Sequence, residues 1–335
     1  MLKRISCLAF AVCACQFAGA WTAIDLNPGP SPLLSVALGG MSGSQAGYVL
    51  VPNKYKHAVY WNLQSSWTDL HPSGFEWSEG HGADGESVVG YALSETTGHH
   101  EALLWYGSAA NYVNLNPSGY HSSHAYCVRG GEQGGGAVPQ NGFDFHAMIW
   151  HGSAGSAIDL NPTPYYLYDY SMVYGTDGAE QVGTVNMSSG YFHASMWHGS
   201  AASWVDLNPS WADWSEAQDT AGGVQCGYTG ITGSTEHATK WFGTAASAMD
   251  INPVGALESW ATGVQNNMVV GTYRMPGGMN HAVVFGYRRV PHVDLHNFLP
   301  PGYTASQARA IDQYGNVIGF ADDANGETHA IAWIP

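Results

Sequence analysis

The chain has 335 residues, of which 26 are acidic and 10 are basic, so its formal net charge at neutral pH is −16. Nucleic acids and anionic membranes attract a basic protein surface, and this balance argues against both as partners. Only 11% of the residues are charged and 43 are glycine, a composition that suits a large β-structure with many tight turns better than helices or a disordered tail.

Residues 1–20 have the pattern of a secretory signal peptide. Lys3 and Arg4 form a basic start, the apolar run after them is too short for a membrane anchor, and a small-residue cleavage pattern closes the segment. No later segment is long and apolar enough to span a bilayer. We therefore predict a protein of residues 21–335 in the extracellular space or the periplasm. A lipoprotein-like cleavage pattern ending at Cys15 leaves open an alternative, in which a lipid on that cysteine anchors the chain.

The tract Asp-Leu-Asn-Pro, or a close variant of it, recurs through the rest of the chain. Its seven copies begin at Asp25, Asp69, Asn114, Asp159, Asp206, Asp250 and Asp294. Neighbouring copies start 44 to 47 residues apart, and a repeat of this length and constancy indicates many copies of one structural unit.

Each repeat carries three further marks in a constant order. A serine opens an apolar stretch, usually with alanine or glycine two residues later, at Ser35, Ser78, Ser123, Ser171, Ser215, Ser259 and Ser306. A glycine then closes a β-branched run, as at Gly90, Gly183 and Gly271. Last comes a His-Ala-x-x-aromatic motif, which begins at His57, His146, His193, His237, His281 and His329, with Glu101 in place of the histidine in the second repeat.

These marks divide every repeat into four short runs of strand-forming residues separated by turn residues. Four strands in each repeat of about 45 residues are typical of a β-propeller, so we predict an all-β, seven-bladed β-propeller with four antiparallel strands in each blade. The serine strand would be innermost and the Asp-Leu-Asn-Pro strand outermost. Because the first repeat starts with an outer strand at Asp25 and the chain ends after a third strand at His329, the N-terminal strand is predicted to complete the last blade.

The His-Ala-x-x-aromatic motif resembles that of the probable extracellular repeat family named for the sequence His-Ala-Phe (HAF). The resemblance covers all seven repeats, although here the third residue is Val, Met, Ser, Thr or Ile and the aromatic residue comes later, usually as Trp. It implies a secreted, β-propeller-like protein without a defined activity, so it assigns no catalytic residues.

Serine, histidine and aspartate recur in almost every repeat, whereas a catalytic triad is a single constellation in a special environment. The repetition favours a structural hydrogen-bond set that fixes the geometry of the blades. The tryptophans that end the motif are expected to fill the space between blades. Cys127 and Cys226 fall two blades apart, so we expect two buried thiols and no disulfide between them.

Residues that break the repeat are the candidates for ligand contact, because the scaffold does not require them. Between the outer strand of one blade and the inner strand of the next, aromatic residues alternate with carboxylates, which suits stacking on sugar rings and hydrogen bonding to their hydroxyls. The ligand-binding candidates are Trp77, Tyr120, Tyr166, Tyr168, Asp169, Trp211, Asp213 and Trp214. The alternative is that these aromatic residues cap the ends of the blades as part of the core.

Three functional hypotheses follow. The first is a secreted binding module for a glycan or a cell-surface protein. The second is an enzyme, a polysaccharide lyase or glycoside hydrolase, for which Glu79 and Glu216 are the carboxylates to test. The third is a structural envelope or matrix protein. We expect neither a cofactor nor a metal, and His121 and His124 would be the ligands of a divalent metal if one bound.

Overall fold

The computed structural model describes residues 21–26, 34–52, 55–63, 66–162, 170–286 and 291–335. The predicted signal peptide, with Cys15, lies outside the described residues. Within them β-strands dominate, and no helix has the length and apolar character needed to cross a membrane.

The described residues form 28 strands joined by short turns. In chain order the strands are β1 (Thr22–Asp25), β2 (Leu34–Gly39), β3 (Gln45–Leu50), β4 (Lys56–Trp61), β5 (Trp67–Asp69), β6 (Phe75–Asp84), β7 (Ser87–Ser94), β8 (His100–Tyr106), β9 (Tyr112–Asn114), β10 (Tyr120–Arg129), β11 (Glu132–Pro139), β12 (His146–Trp150), β13 (Ile158–Asp159), β14 (Ser171–Thr176), β15 (Gln181–Asn186), β16 (Phe192–Trp197), β17 (Val205–Asp206), β18 (Trp214–Ala221), β19 (Val224–Gly230), β20 (His237–Trp241), β21 (Met249–Asp250), β22 (Glu258–Gln265), β23 (Met268–Arg274), β24 (Asn280–Val284), β25 (Val293–Asp294), β26 (Tyr303–Ile311), β27 (Val317–Asp323) and β28 (Thr328–Ile334). Short 3-10 helices occupy Ala154–Ser156, Ala201–Ser203, Ala245–Ser247 and Leu295–Phe298.

These strands pair into seven antiparallel sheets of four strands each, which confirms the predicted seven-bladed propeller. Blades 1 to 6 take four consecutive strands each, from β2–β5 to β22–β25, and blade 7 consists of β26, β27, β28 and β1. The first strand of every blade packs against the first strands of both neighbouring blades, so the serine strands are innermost, as predicted.

Blade 7 closes the ring by pairing the two ends of the described chain. Strand β1 runs antiparallel to β28, with Thr22 opposite Ile334 and Asp25 opposite Ile331. This confirms that the N-terminal strand completes the last blade and covers the edge that β28 would otherwise expose.

The hydrophobic core lies between neighbouring blades. The motif tryptophans Trp61, Trp105, Trp150, Trp197, Trp241 and Trp333 are all 0% exposed. Each core cluster combines side chains from two adjacent blades, such as Leu104 and Trp150 from blades 2 and 3. Cys127 and Cys226 are free thiols on strands of blades 3 and 5, which confirms that no disulfide joins them. Cys226 is buried as expected, whereas Cys127 is only partly buried.

The repeated glycine of each second strand allows the innermost strand to approach closely. A Cβ atom at Gly227 would lie 1.9 Å from the carbonyl oxygen of Glu216, far inside van der Waals contact. The equivalent glycines show separations of 1.8–2.0 Å and are Gly47, Gly90, Gly135, Gly183, Gly271 and Gly319. The glycine in the repeat is therefore a packing requirement.

Candidate functional site at the channel mouth

The serine on each innermost strand binds the backbone of the preceding blade. Its hydroxyl accepts the N–H of the alanine that follows the motif histidine (the motif Glu101 in blade 2), at 2.9–3.0 Å. The pairs are Ser35 and Ala330, Ser78 and Ala58, Ser123 and Ala102, Ser171 and Ala147, Ser215 and Ala194, Ser259 and Ala238, and Ser306 and Ala282.

The motif histidines bond to the outer strand of their own blade. Each donates from Nδ1 to the Oδ2 of an aspartate at 2.8–3.0 Å, in the pairs His57 and Asp69, His146 and Asp159, His193 and Asp206, His237 and Asp250, His281 and Asp294, and His329 and Asp25. Since the same contacts recur around the ring, the repeated serine, histidine and aspartate side chains build the scaffold.

A β-bulge in every innermost strand turns one side chain toward the propeller axis. In each blade the pairing of the first two strands skips the residue three positions after the serine. These seven residues, which we call the channel ring, all line the central channel and are Leu38, His81, Tyr126, Tyr174, Gln218, Thr262 and Arg309. Bulges commonly re-aim a side chain in this way. The residue type at the channel-ring position changes from blade to blade, whereas the scaffold residues repeat. The channel ring can therefore determine which ligand is recognised.

The residue directly after the serine lies near the end of the channel where the innermost strands begin, which we call the mouth. At this position Glu79, His124 and Glu216 each bond to the channel-ring residue of their own blade, at 3.0–3.2 Å. The mouth therefore combines two variable positions from every blade.

Glu79 is a buried anion at the mouth. Its carboxylate pairs with Lys56 at 2.6 Å and accepts hydrogen bonds from His81 at 3.2 Å and from the Tyr91 hydroxyl at 3.3 Å. Burial acts to raise its pKa, but the hydrogen bonds from His81 and Lys56 outweigh burial and hold the pKa at about 2. Glu79 is consequently ionised at neutral pH.

Histidine and tyrosine rings stack beside Glu79. The rings of Tyr91 and His124 lie 3.9 Å apart with planes at 16°. His100 Nδ1 is 2.8 Å from His124 Nε2. Burial, assisted by the neighbouring His100 and His81, lowers the pKa of His124 to about 3, so this ring is neutral at neutral pH.

The metal-ligand candidates fall in two different histidine pairs. His121 lies beside His99, with ring centroids 5.0 Å apart, whereas His124 pairs with His100. Among the described residues, three side chains able to ligate one ion come together at Asp323, Glu327 and His329, on the outer part of blade 7. His329 already bonds to Asp25 on β1 through its Nδ1 atom.

A pocket of about 230 Å³ opens between blades 5, 6 and 7, beside the channel. This blade 5–7 pocket is lined by Gln218, Tyr228, Trp260, Thr262, Thr272, Asn280, Gln307 and Arg309. Its lining offers a large aromatic plane, one cation and several amide and hydroxyl groups, and none of the lining residues that the structure describes carries a carboxylate.

Two glutamates that are not in the pocket lining accept hydrogen bonds from its aromatic residues. Glu216 accepts a hydrogen bond from the Tyr228 hydroxyl at 2.9 Å, and Glu236 accepts one from Trp260 Nε1. Burial raises the pKa of Glu216 despite the hydrogen bond from Tyr228. Glu79 and Glu216, the predicted carboxylate pair, thus have pKa values shifted in opposite directions and lie three blades apart.

Three of the aromatic residues predicted to bind a ligand lie in strands. Trp77, Tyr120 and Trp214 were expected on loops, but β6, β10 and β18 already include them, because aromatic residues favour the extended backbone and pairing begins earlier than the turn residues suggest. All three are half-buried. Tyr120 donates its hydroxyl to Asp159 at 3.0 Å, and the Trp214 ring covers Gly230, contacts that suit the capping alternative.

The other residues predicted to bind a ligand are more exposed or lie outside the described residues. Trp211 is 47% exposed, and the exposed Asp213 accepts the backbone N–H of Thr232 at 2.7 Å. Tyr166, Tyr168 and Asp169 lie outside the described residues.

Sequence reasoning missed Tyr228, Trp260 and Arg309, which contribute to the blade 5–7 pocket. For Trp260 and Arg309 a signal was present, because the positions one and three residues after each repeated serine change from blade to blade. Tyr228 lies on the second strand of its blade and has no such mark. The alternation of a strand indicates that these two positions share a face, and the bulge turns the second of them toward the axis.

No protein-family model and no curated protein matches the chain, but solved structures share its fold. The β-propeller domain of the Trilobed protease from Pyrococcus furiosus superposes with a TM-score of 0.63 and 11% identity, over 90% of this chain and 95% of that domain. A puromycin-hydrolyzing peptidase from Mycobacterium tuberculosis gives 0.58 and 11%, over 93% of this chain and 55% of that one. The BP39L lectin from Burkholderia pseudomallei gives 0.52 and 12%, over 94% and 95%.

The fold and these similarities define the chain as a seven-bladed β-propeller. At such low identity they show the architecture alone, since one fold carries many functions. The chain spans about half the length of the peptidase. The Pyrococcus domain has an open velcro topology, whereas here β1 pairs with β28.

Proposed function

We propose that this protein is a glycan-binding β-propeller whose binding site is the blade 5–7 pocket at the channel mouth. The observation that carries the proposal is the chemistry of the lining, in which the indole of Trp260 stands among the amides of Gln218, Asn280 and Gln307. A sugar ring has an apolar face and a rim of hydroxyls. An aromatic plane beside amide donors and acceptors matches both features.

The pocket is also organised before any ligand arrives. Hydrogen bonds to Glu236 and Glu216 fix Trp260 and Tyr228, and all three of the blades involved belong to one closed ring. A site built on rigid strands loses little conformational freedom on binding, which favours affinity for a small polar ligand.

The predicted secretion and the acidic surface agree with an extracellular partner that is not a nucleic acid. The BP39L lectin supports the proposal only by showing that a propeller of this general architecture serves in a lectin. The resemblance to the His-Ala-Phe repeat family stays a prediction, and it names no ligand.

The decisive experiment is a glycan array followed by calorimetric titration, with residues 21–335 as the protein. Trp260→Ala is expected to weaken binding by about tenfold or more, because stacking with a large ring is lost. Trp77→Ala is the matched control, since its indole contacts Tyr91 and His100 outside the pocket. Binding that survives Trp260→Ala but fails in Trp77→Ala or Trp214→Ala would move the site to the aromatic face predicted from the sequence.

Glycan cleavage is a second candidate function. The pKa values of Glu79 and Glu216 are shifted in opposite directions, as in an acid–base pair, but the two carboxyls lie three blades apart. Release of reducing ends or unsaturated products from a polysaccharide panel would support an enzyme if Glu216→Gln abolishes it. Binding without any product leaves the protein a lectin-like module.

A further inference from the structure

Arg309 stands out among the basic residues of the described chain. Lys56 and Arg274 form ion pairs with Glu79 and Glu258. Within the described residues, by contrast, the Arg309 side chain forms no hydrogen bond or ion pair, and its Nε atom is fully buried without a partner. The centroid of the Phe320 ring lies 5.4 Å from its Cζ.

This arrangement costs folding free energy. The Arg309 side chain is partly buried, and its Nε–H group is removed from water without an acceptor among the described residues, so it loses hydration that no hydrogen bond replaces. Burial accordingly lowers the pKa of Arg309 from its ordinary value. A bound anion would supply the missing acceptor, and the bulge of β26 places the side chain on the wall shared by the channel and the blade 5–7 pocket.

We propose that the blade 5–7 pocket selects a sugar that bears a carboxylate, a uronic acid unit of an acidic glycan, and that Arg309 binds this carboxylate. The inference rests on the proposed function and adds the substrate class. The planar guanidinium presents two parallel N–H groups that match the two oxygens of a carboxylate. Trp260 would support the ring that carries it, and Gln307 and Asn280, which also line the pocket, would bond its hydroxyls.

The neighbouring acids do not occupy this role. Glu216 and Glu236 direct their oxygens to Tyr228 and Trp260, and no carboxylate belongs to the pocket lining. The net charge of the whole chain is −16, so an acidic glycan gains nothing from long-range attraction. Selection must come from a local contact such as the one with Arg309.

The test compares ligands that differ only in charge. Calorimetric titrations use oligomers of galacturonate, glucuronate and mannuronate, each beside its methyl ester, which keeps the ring and removes the charge. Native protein is expected to bind at least one acid form about ten- to a hundredfold more tightly than its ester, the range for a hydrogen bond to a charged group. Arg309→Gln should abolish that preference. Arg129→Gln removes the same charge at the far end of a channel strand and should keep it.

Failure of the inference and failure of the proposed function give different results. Equal affinity for acid and ester, or a preference that persists in Arg309→Gln, overturns the uronate assignment, while the loss of both ligands in Trp260→Ala still supports glycan binding. If no acidic or neutral glycan binds, both proposals fall. If sodium acetate or sulfate competes as well as the oligomer, Arg309 is an isolated anion site and the sugar assignment is wrong.

Thermal stability gives an independent readout. Because the described residues give the Arg309 side chain no hydrogen-bond acceptor, Arg309→Met without ligand should unfold at the same temperature as the native protein or higher. A clear fall in the unfolding temperature would show that Arg309 is a structural residue and would contradict a role reserved for ligand.

Discussion

At the scale of single residues, the charge of Glu79 links the mouth of the channel to the stability of the ring. Lys56 belongs to blade 1, and Glu79 and His81 belong to blade 2, so the carboxylate joins two blades through one buried group. A glutamine at this position keeps one acceptor oxygen but removes the negative charge that Lys56 and His81 face, and it replaces the second acceptor with a donor. We expect Glu79→Gln to lower the free energy of unfolding at neutral pH by about 1–3 kcal/mol.

The pH dependence of this contribution has a definite sign. The pKa of Glu79 is about 2 in the folded protein, below the value of about 4.3 in an unfolded chain, so folding favours the ionised form. Its stabilisation is fully present above about pH 5 and is lost as the pH falls from about 4 to about 2. Urea unfolding from pH 2 to 7 should show the difference between native protein and Glu79→Gln closing in that window. Glu95→Gln, at an exposed position, is the control and should follow the native curve throughout.

Sequence reasoning found part of the site at this scale. Glu79 and Glu216 were predicted as a carboxylate pair and His124 as a metal ligand, and the structure places all three directly after the repeated serine, at the mouth. Trp260 and Arg309 escaped because aromatic and basic residues are also common in cores and on surfaces, and only the bulge and the ring closure bring them to one pocket.

At the scale of elements, the bulged pairing of the first two strands depends on the repeated glycine. An added methyl group at Gly227 would meet the Glu216 carbonyl oxygen at 1.9 Å, and that oxygen belongs to a paired strand that cannot move freely. We expect Gly227→Ala to reduce the free energy of unfolding by about 1–3 kcal/mol, the usual cost of overpacking, and to weaken ligand binding because the pocket wall shifts.

The control for this change is Gly155→Ala. Gly155 lies in a 3-10 turn where a new Cβ would meet no heavy atom of a described residue within 4 Å, so its unfolding temperature should match that of the native protein. Equal destabilisation by both changes would show that loss of glycine itself, rather than the close strand approach, is responsible. Differential scanning calorimetry of the pair decides between these causes.

The number and order of strands could be predicted because the repeat marks each of them, but their register could not. A bulge places one extra residue in one of two paired strands, and no single residue type in the sequence marks its position. For the same reason β6 and β18 begin earlier than predicted. They include Trp77 and Trp214, which the sequence pattern placed in loops.

At the scale of the whole molecule, the ring depends on the contact between β1 and β28. Leu26 is 0% exposed beside β1, and Asp25 bonds to His329 across the junction. Deletion of residues 21–26 should therefore expose the β28 edge and a strip of core. The expected result is a lower unfolding temperature and association through that edge, measured by calorimetry and light scattering.

A circular permutant distinguishes strand pairing from chain order as the source of closure. Thr22 and Ile334 are directly paired, so a linker of about four residues can join residue 335 to residue 21. New ends fit between Asn266 and Asn267, an exposed turn in the left-handed region with φ angles of 49° and 63°, which asparagine adopts more readily than most residues other than glycine. If pairing closes the ring, this permutant keeps the unfolding temperature and glycan affinity of the native order, because every blade retains its four strands. If the permutant loses both its unfolding temperature and its glycan affinity, the continuous β22–β23 connection in blade 6 matters more for stability than the β1–β28 pairing in blade 7. The seven blades would then contribute unequally to the pocket.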